Sequence, residues 1–275
     1  MRDFTLRRYE ALLGCLQKAG YGFLTMEQYF RKTGAGEALP EKFVILRHDV
    51  DKLANNSDKV SKIESSHDVR ATYYFRLTES SNDPQVIRNI ASRGHEIGYH
   101  YEDLVQTDGD LARAGAHFAE AIEYFRHFYP VTTICMHGSP RSPYDPKELW
   151  KHMSYRAYGI IGEPYLDADF NDLFYLTDTG RCWDGWRFSR RDKVSDELQR
   201  RWIAAGWVYH STSDIVQAIG QGTFPPHVMM TSHPQRWTDA RLAWCRELLL
   251  QKAKNLVKRY LIAKRGGIAA EAKTA

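Results

Sequence analysis

The chain lacks any hydrophobic run long enough to cross a membrane, lacks a paired-cysteine motif, and shows no internal repeat or low-complexity linker. With nothing near about 20 consecutive apolar residues, no transmembrane helix is expected. Its first ten residues, Met-Arg-Asp-Phe-Thr-Leu-Arg-Arg-Tyr-Glu, are charged where a secretory signal needs an apolar core, so a cytoplasmic protein is expected. Cys15, Cys135, Cys182 and Cys245 are scattered, which indicates neither a zinc knuckle nor a disulfide framework and suits reduced thiols. Charge of one sign is also scarce. Lys and Arg number 38 against 34 Asp and Glu, and the formal charge of +4 is too mild to argue for nucleic acid. No basic-aromatic motif lies inside the core, so no nucleic-acid partner is expected.

What is present is organised around residues 43 to 51, Phe-Val-Ile-Leu-Arg-His-Asp-Val-Asp, where a short apolar run stops on a cluster of ionisable side chains. Phe43 to Leu46 has the β-branched and aromatic make-up of an interior strand of a parallel sheet. Asp49 and Asp51 alternate onto one face just past it, where α/β folds gather their ligand-binding side chains. Phe4 to Leu16 and Thr25 to Lys32 are spaced as leading helices, and further helices are expected over 55–64, 85–92, 111–128 and 194–204. Between them, strands are expected at 69–75, 95–101, 131–136, 158–161, 173–177, 207–210 and 227–231. Alternating strands and roughly ten-residue helices predict one α/β domain, an irregular (β/α) barrel or a doubly wound sheet. The expected division is a helical segment at 1–40, a barrel at 41–237, a basic amphipathic helix at 238–265 and a disordered tail at 266–275. That last helix carries a stripe of Leu242, Leu249, Leu256 and Leu261. Either it packs on the barrel with a wet basic face, or it meets a membrane surface or an acidic ligand.

Strand after strand ends on ionisable groups: Asp49 and Asp51; His100 with Glu102 and Asp103; His137 with Arg141; and His233. One carboxylate with imidazoles suits one divalent ion, zinc by default, and a second, unligated carboxylate can act as general base beside it. His48, His67, His95, His117, His127 and His210 have no such support and read as structural. Tyr144, Trp183, Trp186 and Trp237 are candidates to stack on a sugar, although most aromatics in this chain will be core.

Four strings carry a resemblance: Arg-His-Asp-Val-Asp at 47–51, Gly-His-Glu-Ile-Gly-Tyr-His at 94–100, Arg-Ser-Pro-Tyr at 141–144 and Thr-Ser-His-Pro at 231–234. In this order they resemble the polysaccharide deacetylases, the NodB-like carbohydrate esterases of family 4, most nearly the divergent branch found among O-antigen and capsule biosynthesis proteins. The resemblance covers roughly residues 40 to 235. It implies a barrel of about seven strands whose metal site removes acetyl groups from N-acetylated sugars. It implies Asp49 as general base, Asp51 and His100 as metal ligands, and His233 as the acid that protonates the leaving amine. Asp184, in Cys-Trp-Asp-Gly-Trp, would orient that histidine and border the substrate with Tyr144 and Trp183. Position 104, where the family has its second histidine, holds Leu104. The third ligand is then Glu102 or His137, which this reading leaves equal, and Arg141 would steer Asp49 or bind a substrate anion.

The expected activity is metal-dependent removal of the N-acetyl group from an amino sugar in surface-glycan assembly, on a nucleotide- or lipid-linked intermediate. Two alternatives stand beside it: a carbohydrate-binding pseudoenzyme, which Leu104 favours, and a hydrolase of another small acyl group such as formyl.

Overall fold

The structure, a computed structural model, describes residues 2–139, 142–187, 191 and 193–263, the side chains of 257–263 excepted. Arg141 and the expected disordered tail lie outside the described residues. In chain order the strands are β1 (Gly22–Leu24), β2 (Phe43–Val50), β3 (Thr72–Phe75), β4 (Glu96–Tyr101), β5 (Ile134–Met136), β6 (Phe174–Thr177) and β7 (His227–Ser232). The helices are α1 (Leu6–Lys18), α2 (Met26–Gly34), α3 (Ala54–Ser66), α4 (Pro84–Ser92), α5 (Asp103–Gln106), α6 (Leu111–Arg126), α7 (Pro164–Asp167), α8 (Asp196–Ala204), α9 (Thr212–Gly220) and α10 (Arg241–Ala263).

All strand pairs are parallel, in the order β5-β4-β3-β2-β7-β6, and β1 pairs with the first half of β2 on the edge that β3 occupies further along. This is a half-barrel sheet surrounded by helices, an irregular α/β barrel of the expected kind. Because every strand runs the same way, their carboxyl ends open onto one rim. All eight residues of β2 are buried, as a central strand covered on both faces requires.

β2 continues four residues past Leu46, through Arg47, His48, Asp49 and Val50, because each polar side chain there has a buried partner. Alternation sends Arg47 and Asp49 to the barrel interior and His48 to the α3 side. In the Gly-His-Glu-Ile-Gly-Tyr-His string, Gly98 is required by close approach: a Cβ there would lie 2.3 Å from the Tyr74 ring and 2.8 Å from the Thr133 carbonyl.

Two expected strands are absent. At 158–161, Ser154 caps a 3₁₀ turn, Tyr155–Tyr158, that ends on Gly159 at φ +73°, and the chain meets the residues leading into β5 through the Thr133–Gly162 bridge and the Ile161 N–H on the Thr132 carbonyl at 2.8 Å. At 207–210 the chain turns at Gly206, with φ +78°, and Trp207 N–H bonds back to Trp202. It then enters α9, which begins with a Ser211–Asp214 capping box that the sequence reading passed over. The last helix starts at Arg241 rather than Thr238, whose N–H is held by the Phe4 carbonyl at 3.2 Å. Among the described residues no helix is long and apolar enough to cross a membrane.

Candidate active site

Sheet register decides which strand-end residues meet. β4 and β5 pair Tyr101 with Met136, so His137, one step further, binds the Tyr101 carbonyl through its N–H at 2.8 Å and stands beside Glu102. β2 and β7 pair His48 with Ser232, which brings His233 next to Asp49 and Asp51. β6 and β7 pair Thr177 with Thr231, and Asp178 follows directly.

Three atoms converge on one point. Asp51 Oδ1 lies 3.7 Å from His100 Nε2 and 3.6 Å from His137 Nε2. It is buried and, among the described residues, accepts no hydrogen bond, whereas Oδ2 of the same carboxylate takes the Gln235 amide at 3.1 Å. Each imidazole has its other nitrogen engaged. His100 Nδ1 is 2.9 Å from the Cys135 carbonyl, and His137 Nδ1 is 2.6 Å from Glu102 Oε2 and 2.9 Å from Ser139 Oγ. Those contacts place the ring protons on Nδ1 and turn both Nε2 lone pairs toward Asp51. Burial pushes the His100 imidazole down to about 4, so it stays neutral. Burial opposes the Asp51 charge, yet the three histidines around it hold its carboxyl at about 2.

Two ligands about 2.1 Å from a tetrahedral ion are roughly 3.4 Å apart, close to these separations. The buried, unpartnered oxygen and the two inward lone pairs therefore fit a divalent cation. A second grouping, Asp49, His100 and Cys135, also lies within ligand distance. Its carboxylate, however, has both oxygens on a guanidinium.

That guanidinium is Arg47: Nε to Oδ1 at 2.9 Å and Nη2 to Oδ2 at 2.6 Å, a buried bidentate pair. Burial alone would raise the Asp49 carboxyl, but Arg47 and His100 hold it well below the ordinary carboxylate range. The steering role that the resemblance gave to Arg141 is thus filled, in the described residues, by Arg47 two positions before Asp49.

His233 shows the complementary arrangement. Its Nδ1 is 2.6 Å from Asp178 Oδ1, its backbone N–H binds Asp178 Oδ2 at 3.0 Å, and its Nε2 faces Asp51 Oδ2 at 3.8 Å. Asp178 is itself held by Arg236 and, at 3.0 Å, by the Trp237 indole N–H. Burial and Arg236 disfavour the imidazolium, but Asp178 and Asp51 outweigh them and raise the His233 pKa above its ordinary value.

Other expected residues are placed elsewhere. Glu102 does not reach the three-atom point: Oε1 accepts from Arg76 Nε at 2.8 Å and Oε2 from His137 and Ser139. Burial would raise its carboxyl, but the His137 contact and, after it, Arg76 hold it at about 2. Asp184 is not the partner of His233. Its carboxylate takes His210 Nδ1 at 2.9 Å and Arg187 at 3.0 Å, because β6 ends at Thr177 and delivers Asp178, the next residue, instead. Trp183 is only 1 % exposed, packed between Phe4 and Trp237 with its indole N–H on Thr212, so it presents no face to a ligand; Trp237 is fully buried. Tyr144 is exposed, its ring lying where a Cβ on Gly109 would be. Leu104 is buried with Ala114 and Leu149 in a small apolar cluster below α5.

Arg47, Asp178 and Arg76 are the residues that sequence reasoning passed over. Each had a signal: Arg47 shares the face of Asp49, and Asp178 and Arg76 directly follow β6 and β3.

No protein-family model matches this sequence and no curated protein does. Solved structures with a similar arrangement of strands and helices include deacetylases, a family 4 carbohydrate esterase and a pseudoenzyme of that family. The deacetylase PplD of Streptococcus pyogenes is 16 % identical, with 57 % of this chain and 73 % of that chain covered and a TM-score of 0.44. IcaB from Ammonifex degensii is 16 % identical over 54 % and 72 %, with a TM-score of 0.41. PdaA of Bacillus subtilis, a family 4 carbohydrate esterase, is 13 % identical over 88 % and 84 %, with a TM-score of 0.40. The likeness is one of fold.

Proposed function

We propose that the protein is a metal-dependent carbohydrate deacetylase that hydrolyses the N-acetyl group of an amino sugar. The observation that carries this reading is the convergence of Asp51 Oδ1, His100 Nε2 and His137 Nε2, with the Nδ1 atoms of both those rings already engaged, between the ionised Asp49 and the His233–Asp178 pair. Asp51, His100 and His137 would hold one divalent ion, zinc by default, and Glu102 would be the group that orients His137 rather than a ligand. When bound, the ion supplies a Lewis acid that polarises the acyl oxygen and makes water more acidic.

Asp49 Oδ2 removes a proton from the attacking water while Arg47 keeps the carboxylate ionised and fixed in place. The water oxygen adds to the amide carbon, and the C–N bond of the resulting tetrahedral species then breaks. His233 Nε2 gives its proton to the departing nitrogen, with Asp178 holding the ring through Nδ1 and supporting the imidazolium. Acetate and a free amino sugar result. His137 supplies the imidazole that Leu104 does not, and this favours the enzyme over a sugar-binding pseudoenzyme.

We place the reaction on the cytoplasmic side, in the assembly of a surface glycan such as O-antigen or capsule, with the sugar carried on a nucleotide or a lipid diphosphate. Four dispersed free cysteines suit a reducing compartment.

The test is acyl release, read by mass spectrometry, from N-acetyl and N-formyl amino sugars offered free, nucleotide-linked and lipid diphosphate-linked. Acetate should appear with ion-loaded protein, and disappear with a chelator and in Asp49→Asn. Formate in its place would move the reading to a deformylase. No acyl product from any of these substrates, with the ion shown to be bound, would abandon hydrolysis for the pseudoenzyme.

A further inference from the structure

The C-terminal helix α10 lies on the molecule with its polar side inward. Gln251 is buried and bonds Asn255 at 2.8 Å; Asn255 donates to the Gly180 carbonyl at 2.8 Å; Glu247 meets Lys52 at 3.7 Å. Trp244 completes this inner face, its carbonyl held by Arg181 at 2.9 Å and its indole N–H by the Asp3 carbonyl at 2.6 Å. The leucines point the other way. Leu242 is 88 % exposed, Leu249 67 % and Leu256 71 %. Spaced seven apart, they form one stripe along the helix, outward rather than against the barrel as a packed amphipathic helix requires.

Beside that stripe stand Arg241, Arg246, Lys252 and Lys254, all exposed. From 241 to 265 the sequence has eight basic residues against the single acid Glu247, a net charge of +7. We propose that this face of α10 docks on an anionic lipid bilayer, its leucines entering the acyl boundary and its Lys and Arg side chains meeting headgroup phosphates. Charge complementarity chooses the occupant. A second copy would set Arg241, Arg246, Lys252 and Lys254 against the same four cations, whereas a negative lipid surface neutralises them and accepts the leucines.

The placement has a consequence for access. α10 packs against Lys52, next to Asp51, and against Gly180 and Arg181, in the loop after Asp178. A bilayer under this helix would therefore lie beside the rim of the site, where a lipid-borne substrate would be presented. The docking itself does not depend on the hydrolase reading, and its test reads lipid binding alone.

Full-length protein would be sedimented with phosphatidylcholine vesicles containing roughly a third phosphatidylglycerol, and with pure phosphatidylcholine, at about 0.1 M and about 0.5 M salt. Wild type should pellet with the anionic vesicles and be released by the higher salt. The double variant L249E/L256E should lower the partition coefficient about tenfold or more, and R246Q/K252Q/K254Q should lower it on anionic vesicles alone. Both sets of side chains are exposed, so unchanged melting temperatures separate lost docking from lost fold. No pelleting, or equal pelleting with neutral vesicles, would overturn the proposal. So would a concentration-dependent dimer, without lipid, that L249E/L256E abolishes, since a second copy would then cover the face.

Discussion

Strand β2 carries a carboxylate–imidazole cluster on each of its two faces, and the pair is instructive because the residue types are the same. On the α3 side, Glu64 accepts from His48 at 2.6 Å and from Tyr9 and Tyr73, each at 2.5 Å, while His48 Nδ1 meets Ser232 at 2.8 Å. His95 beside it accepts the Ala71 N–H at 3.1 Å and lies 3.2 Å from the Ser61 carbonyl. Every ring nitrogen and both carboxylate oxygens of this cluster have protein partners. On the barrel side, Asp51 Oδ1 lies 3.6–3.7 Å from the Nε2 atoms of His100 and His137, and among the described residues none of the three makes a hydrogen bond. Composition does not separate the two clusters; the α3-side groups are fully buried while Asp51 and His137 are partly exposed, and bonding capacity is unfilled only on the barrel side. A saturated polar network holds a fold together, and one left open on one side can accept a ligand.

The comparison breaks most sharply at its two centres. His100→Ala should reduce bound divalent ion from about one per chain to near none, measured by elemental analysis after loading, with the fold retained. A full complement of ion in that variant would sink the proposed ligand set. Glu64→Ala should do the reverse. It leaves His48, Tyr9 and Tyr73 without their shared acceptor and should cost about 3–5 kcal/mol in chemical denaturation, while the protein that remains folded still binds the ion. Loss of the ion without loss of stability would mean the two faces are not independent.

A smaller effect is expected one bond away from the open cluster. Glu102→Ala should weaken ion affinity by about 10–100-fold without abolishing it, because Glu102 positions His137 through Nδ1. Complete loss, equal to that of His100→Ala, would restore Glu102 as a ligand. The smallest effect concerns acid. Burial depresses the His95 pKa below its ordinary 6.5, so the unfolded chain takes up a proton before the folded one does. His95 therefore contributes full stability above about 6.5, and that contribution falls as pH drops below it. The drop in melting temperature between pH 8 and pH 5.5 should be shallower in His95→Gln, and an unchanged slope would remove His95 from the acid response.

Much of the architecture can be read along the chain. β2, β4, β6, β7 and most helices fall where apolar runs, caps and Gly or Pro signals put them, because those signals act within a few residues. The two mistaken strands, 158–161 and 207–210, are short apolar pieces whose backbone is taken by local turns at Gly159 and Gly206. For the site, Asp49, Asp51, His100 and His233 stand out because each closes a strand. Asp184 lies in a conspicuous Trp-flanked string, whereas Asp178, in Thr-Asp-Thr, carries no such local signal.

Local sequence thus determines which residue types stand at the strand ends, and period-two alternation alone puts Arg47 beside Asp49 on one face. It does not determine which strand ends touch. That His137 rather than Glu102 faces Asp51, that Asp178 holds His233, and that α10 turns its leucines outward all follow from register and packing between segments distant in the chain. The reason is energetic: a strand end is placed by the summed burial and ladder hydrogen bonds of the whole sheet, far larger than any preference its own neighbours express.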